Sequence, residues 1–292
     1  MIVYLLGLLS PFAFALGTVM QQRGTMQTRA REGDPRFLVQ MLRRPVWLVG
    51  GLITVCAFLL QAAALRYGSL SLIQALQVLG LVFALPLGAR LTGQHIGRRS
   101  LAGAAVTVAG LVVFVVLGRP NGGVSEPAGT DWWVAGAAVV IVTAALSWVG
   151  FRRRGAAAAA LFATAAGVWF ALQAGVTKVL VTRLDDGLGS VVAAWPLYAL
   201  IVSAAVGFAL QQASLKTGAL APSMAALEAS TLAVSVLLGV TLFDEVIAAE
   251  AARLLPAVVG IGLAIVGVAI LASGRNQPPG GRAGGQMGRG RT

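Results

Sequence analysis

Within its long apolar runs this chain carries one carboxylate, Glu228. It lies ten residues into the run 219–243, hence about 15 Å deep at about 1.5 Å per residue, near the midplane of a bilayer. An acid in hydrocarbon is costly and usually faces a cavity, a partner or a proton path. Two readings stay open: a titrating group that exchanges a proton for a cation, and a structural Glu hydrogen-bonded between helices. Gln74 and Gln77 are three apart and share a helix face, so they line a polar cavity or bridge neighbouring helices. Trp169 and Gln173 are four apart and set an aromatic plate beside an amide, an arrangement suited to an organic cation or planar solute and equally to packing. Lys178, at the far end of the same run, is expected to snorkel to the interface or to serve as counter-ion to an anionic substrate.

Little else in the chain does chemistry. It contains no Walker loop, no HExxH and no GxSxG, so an enzyme is not expected. Cys56 is the only cysteine and lies in an apolar run, which leaves no intramolecular disulfide and no thiolate cluster. Mg²⁺ wants several oxygen ligands, preferably from more than one carboxylate, and His95 stands in a basic loop without a neighbouring acid. No metal site and no cofactor are expected.

Positioning these residues falls to membrane helices. With 58% hydrophobic and 11% charged residues among 292, and a mean hydropathy of +0.85, the chain is too apolar for a soluble domain. A span needs roughly 20 apolar residues. Nine segments qualify or nearly so: 2–20, 46–65, 70–89, 101–117, a short one at 132–148, then 156–181, 191–211, 219–243 and 254–272. The first lacks a basic segment before it and a small-residue cleavage site, so it reads as a retained helix. Gln21, Gln22 and Arg23 read as an interfacial anchor at its end, and Pro222 is expected to break the eighth helix near its cytoplasmic entrance.

The net charge of +12 is topological rather than a nucleic-acid signal, because the arginines cluster in short loops. Nine spans put 17 of the 22 Lys and Arg residues on one side, among them Arg43, Arg44, Arg98, Arg99 and Arg152 to Arg154. The other side holds Arg66, Arg119, Lys178, Arg183 and Arg253 with most of the acids. Positive charge collects in the cytoplasm. The N-terminus is therefore expected outside and the C-terminus inside, in the cytoplasmic membrane.

The chain also repeats itself. Residues 60–68 read LQAAALRYG and residues 210–218 read LQQASLKTG, 150 positions later; a seven-residue insertion then shifts the offset to 157, where Gly103 and Gly110 meet Gly260 and Gly267. The second and third spans thus correspond to the seventh and eighth, five crossings on, and an odd shift inverts the copy. The expected fold is an all-α polytopic membrane protein: a first four-helix repeat (1–120), a connecting helix (131–150), an inverted second repeat (156–273) and a disordered cytoplasmic tail (274–292). Each glycine pair spans seven residues, about two turns, and so presents one face for close backbone approach. Two halves meet there, or two protomers do.

The segments ALRYGSLSLIQAL in the first half, and LKTGALAPSMAAL followed by LLGVTLFDE in the second, are similar to the halves of EamA-type members of the drug/metabolite transporter superfamily. The N-terminal FALGTVMQQRG and the nine spans resemble the NIPA-type branch, which includes proposed magnesium transporters. The seven-residue glycine spacing also resembles the dimerising last helix of small multidrug resistance transporters. In this resemblance Glu245 matches the family's acid at a helix end, while the first half has Gln94 and His95 there. The resemblance implies secondary transport with alternating access. The reading is a carrier of a small metabolite or organic cation, proton-coupled through Glu228, with membrane lipid as its surroundings and no nucleic-acid partner. The alternatives are a NIPA-type Mg²⁺ or cation permease and a non-transporting scaffold or lipid-handling subunit.

Overall fold

The computed structural model describes residues 2–26, 44–92, 97–124, 126–215, 217, 220–247 and 251–273. His95 and the tail 274–292 lie outside them. The elements are α1 (Ile2–Met26), α2 (Pro45–Tyr67), α3 (Leu70–Gln77), α4 (Leu79–Thr92), α5 (Arg98–Val113), α6 (Gly129–Phe151), α7 (Gly155–Thr182), α8 (Leu188–Ala193), α9 (Trp195–Leu215), α10 (Leu220–Thr241) and α11 (Ala251–Ser273). Two short strands, β1 (Asn121–Gly122) and β2 (Glu245–Val246), pair antiparallel. The described residues supply nine helical spans long and apolar enough to cross a membrane, α3 and α4 together making one of them. The chain is an all-α polytopic membrane protein. Helices are what such a sequence must form, because in hydrocarbon every backbone N–H and C=O needs a partner within its own segment.

Several boundaries differ from those read off hydropathy. The third span is broken: α3 stops at Gln77, Val78 closes a tight turn on Ala75, and α4 starts afresh. The fourth span ends in a π-helical turn, Phe114–Gly118, behind which Arg119 takes a left-handed φ of 40°. The fifth span is no short one, running 23 residues through Gly129–Phe151. The seventh begins at Trp195 rather than 191, since residues 191–193 belong to α8 and an extended Ala194 separates the two helices ahead of Pro196. Pro222 does not break α10. It occupies the first turn, where a missing N–H costs nothing.

Successive spans run in alternating directions, and the loop contacts locate their ends. At one end a Cβ on Gly68 would lie 2.7 Å from Val3, the Ser69 hydroxyl donates to Pro120 O (3.0 Å), Val124 N–H donates to Phe243 O (2.7 Å), and the Trp132 ring stacks edge-on against both Trp195 and Phe243. Leu60 lies in the turns of α2 leading to this end. Leu210 lies in the turns of α9 leading to the other, where the Ser214 hydroxyl donates to Ala159 O (2.6 Å). Among the described residues, Arg44, Arg98, Arg99 and Arg152 to Arg154 gather at that second end; Arg66, Arg119, Lys178 and Arg183 gather at the first with Glu126, Asp244 and Glu245.

The core has two main centres. Leu65, Leu70, Ile73, Val179 and Leu238 join α2, α3, α7 and α10, while Ala75, Leu111, Leu232 and Val268 join α3, α5, α10 and α11. Between α5 and α11 the four glycines named above meet within one chain. A Cβ on Gly110 would lie 2.6 Å from Gly260 O, one on Gly260 2.8 Å from Gly110 O, and one on Gly267 2.8 Å from Gly103 O. The numbering runs in opposite senses along the contact, so the two helices pack antiparallel, backbone on backbone.

Candidate functional site

The most concentrated polar chemistry lies at the first end, around Glu245. The sequence places this residue just past the eighth span, on the side that holds most of the acids, and singles out Glu228 as the one carboxylate within an apolar run. The structure reverses that order: Glu245 is 3% exposed, whereas Glu228 is only half-buried. The reversal has a local cause. Asp244 adopts a left-handed φ of 51°, which turns the chain back at the end of α10, and the β1–β2 bridge then aims the Glu245 side chain down into the bundle. Two glycines make room for it. A Cβ on Gly239 would come 3.1 Å from Glu245 Cδ, and one on Gly123 would come 2.9 Å from Glu245 Cγ, at a φ of 93° that disfavours a side chain in any case.

Four donors converge on the Glu245 carboxylate. Lys178 Nζ donates to Oε1 (2.7 Å), Leu70 N–H donates to the same oxygen, and the Ser71 N–H (3.0 Å) and hydroxyl (2.7 Å) donate to Oε2. Leu70 and Ser71 open α3, and the Ser69 oxygen caps the next N–H, that of Leu72, at 3.3 Å. The free amides of a helix start are thereby taken up by a carboxylate, and the helix dipole favours the same charge. Lys178 does not snorkel. It is 7% exposed, and its ammonium lies 4.6 Å from the centre of the Phe243 ring as well as against Glu245. A nearby carboxylate and an aromatic face give the ammonium partners that outcompete a reach for the interface.

This clamp crosses between the two halves of the chain. Ser71 and Leu70 belong to the first, Lys178 and Glu245 to the second. Further bonds cross at the same level: the β1–β2 bridge, Val124 N–H to Phe243 O, and a forked ion pair in which Arg183 Nε and Nη2 lie 3.0 and 3.1 Å from the Glu126 carboxylate.

Beneath the clamp a polar seam runs between α3 and α10. Gly239 faces Ser71; Ser235, one turn back, faces the level of Gln74 and Ala75; Glu228, seven residues further and so about two turns, lies on the same face of α10. The apolar clusters agree with this register, one holding Ile73 with Leu238 and the other Val78 with Leu232. Gln74 is 4% exposed and Ser235 fully buried, and Gln74 Nε2 and Ser235 Oγ have no hydrogen-bond partner among the described residues.

The remaining sequence candidates lie elsewhere. Gln77 Nε2 donates to Ser10 Oγ (2.8 Å), which donates on to Ala57 O (3.0 Å), a chain of bonds tying α3, α1 and α2 together. Trp169 is nine residues from Lys178, two and a half turns, and so lies on the opposite face of α7. There it packs beside Val139, Leu172, Val176, Ala199 and Leu200, with its indole N–H buried and unpartnered. Gln173 is on that far face too. Gln74 therefore lies on the contact between α3 and α10, Glu228 lies on the same face of α10 two turns further toward the second end, and Gln77, Trp169 and Gln173 lie elsewhere. Lys178 and Ser235 join the seam's surroundings: the first carried a legible charge but no legible partner, and the second carried no signal at all. Among the described residues no three His, Cys, Asp or Glu side chains come together.

No family model matches the chain, and no solved structure matches it. A protein of Corynebacterium glutamicum that bears the name uncharacterized protein is 28% identical over 252 residues, which cover 84% of this chain and 86% of that one.

Proposed function

We propose that this protein is a secondary carrier of a small metabolite or organic cation, working by alternating access across the cytoplasmic membrane with Glu228 as its proton-coupling group. The observation that carries the proposal is an exchange relation at the glycines. Moving each residue by the sequence offset of 157 turns the contact between Gly110 and Gly260 into one between Gly267 and Gly103, and both contacts occur. A contact that maps onto itself in this way is what a two-fold relation between α5 and α11 requires, and because the helices are antiparallel its axis lies in the membrane plane. The opposed ends reached by Leu60 and Leu210 agree with the same relation. Halves inverted about such an axis form a central site that opens to either side in turn.

The charge asymmetry supports placing the Glu245 end outside. In this reading the clamp between Lys178, Glu245 and the start of α3 shuts the outer mouth, and the seam leads from it to Glu228. An acid at that depth serves proton exchange when the path to it is opened and closed.

The test is uptake by proteoliposomes over a panel of uncharged metabolites and organic cations, with and without a pH gradient. Uptake that responds to the gradient, and loses that response in Glu228→Gln, is expected. Uptake indifferent to pH in the native protein overturns the coupling, and no uptake of any solute overturns the carrier.

A further inference from the structure

We infer that Gln74 and Ser235 form the hydrogen-bonding part of the solute site, and that the solute it takes is a small uncharged molecule presenting an oxygen acceptor, such as an amide, ketone or polyol. The inference rests on the carrier reading and narrows its substrate class.

Both groups are buried and lack a partner among the described residues. Buried polar atoms are satisfied in the great majority of cases, and one left bare pays its full desolvation cost. In a bilayer there is less water at hand to relieve it. Two such groups on facing helices, at one level of the seam, point to a guest rather than to packing. The Gln74 amide nitrogen can only donate, and the Ser235 hydroxyl donates or accepts, so the guest must offer an acceptor.

The class follows from the charges. Apolar residues adjoin the pair along each helix: Ile73 and Ala75 flank Gln74, and Leu232 and Leu238 lie about one turn either side of Ser235. One turn above, Lys178 and the helix start already neutralise Glu245. Glu228 lies two turns below, about 10 Å away at about 1.5 Å per residue. A charged solute held by Gln74 and Ser235 would find no opposite charge beside it and would bear the desolvation cost alone. An uncharged one loses little. Glu228 is then left to carry the proton, not to bind a cation.

The probe is a set of small methanethiosulfonates differing in charge: the neutral methyl reagent, the trimethylammonium-ethyl cation and the sulfonatoethyl anion. They are applied to detergent-purified Ser235→Cys protein in a Cys56→Ser background. The neutral reagent is expected to modify the introduced thiol at least about tenfold faster than either charged one, relative to their rates with free thiol, since a charge enters such a setting only against its desolvation cost. A cationic reagent that reacts as fast as the neutral one, or an introduced thiol that none of them reaches, overturns the inference. A second readout needs no thiol. Gln74→Leu is expected to keep or raise the melting temperature of the solute-free protein, and a fall would show that the amide holds the helices together and would overturn the assignment. Both measurements are made without transport, so their failure is separate from a failure of the carrier reading.

Discussion

Lys178 Nζ lies 2.7 Å from Glu245 Oε1, and the two side chains are 8% and 0% exposed. A pair so removed from water is held by mutual attraction and by the extra donors of Leu70 and Ser71. Removing one partner leaves an uncompensated charge, at a cost of about 3–5 kcal/mol. Lys178→Met and Glu245→Leu should each lower thermal stability markedly in detergent. The double variant should lose much less than the sum of the two, and full additivity would show that the two groups do not act as a pair.

Gly110, Gly260 and Gly267 each face the backbone of the opposing helix, so a larger side chain must push α5 and α11 apart. Gly110→Val and Gly260→Val should destabilise by the upper end of about 1–3 kcal/mol or more. Gly136→Val and Gly262→Val make useful controls, because a Cβ at either position meets nothing within 4 Å. Chemical denaturation of the four variants, with equal midpoints in all of them, would count against the packing described.

The bonds from Gln77 to Ser10 and from Ser10 to Ala57 O join three helices, but such contacts between membrane helices contribute only about 0.6–1.7 kcal/mol each. Gln77→Leu should therefore cost a modest fraction of stability and leave solute selectivity unchanged. A change in which solutes are carried would move Gln77 back into the site.

The spans were legible because hydropathy alone dictates them, and so were the glycine pairs, whose seven-residue spacing fixes a shared face. Which faces meet was not legible: two glycine stripes serve a dimer as well as a fold, and only the contacts of Gly110 with Gly260 and Gly103 with Gly267 decide that they meet inside one chain. The burial of Glu245 was not legible, for a physical reason. A carboxylate just past the end of a helix, beside Asp244, looks like a surface residue until the left-handed turn at Asp244 sends it inward. Lys178 followed it, since a buried lysine is intelligible only through its partner 67 residues away. Trp169 and Gln173, four apart, share a face of a helix, but periodicity cannot tell which neighbour that face meets.

Glu228 offers a separate test of coupling. If it carries the proton, Glu228→Gln protein should exchange solute across the membrane while its rate no longer varies with pH, whereas Glu228→Asp should keep some of that variation. The measurement is counterflow at matched internal and external pH, and an unaltered pH profile in Glu228→Gln would remove the residue from the mechanism.

The central claim is that two inverted halves rock about a shared site, with the clamp as the outer closure. The most direct test is a pair of spin-label distance measurements in lipid, in the Cys56→Ser background. One pair sits at Asn121 and Val246, partners in the β1–β2 bridge, and the other at Arg90 on α4 and Met224 on α10, at the opposite end. On going from neutral to acidic pH, or on introducing Glu245→Gln, the two distances should change in opposite directions, one lengthening as the other shortens. Distances that stay fixed at both ends, or that lengthen together, would contradict the account.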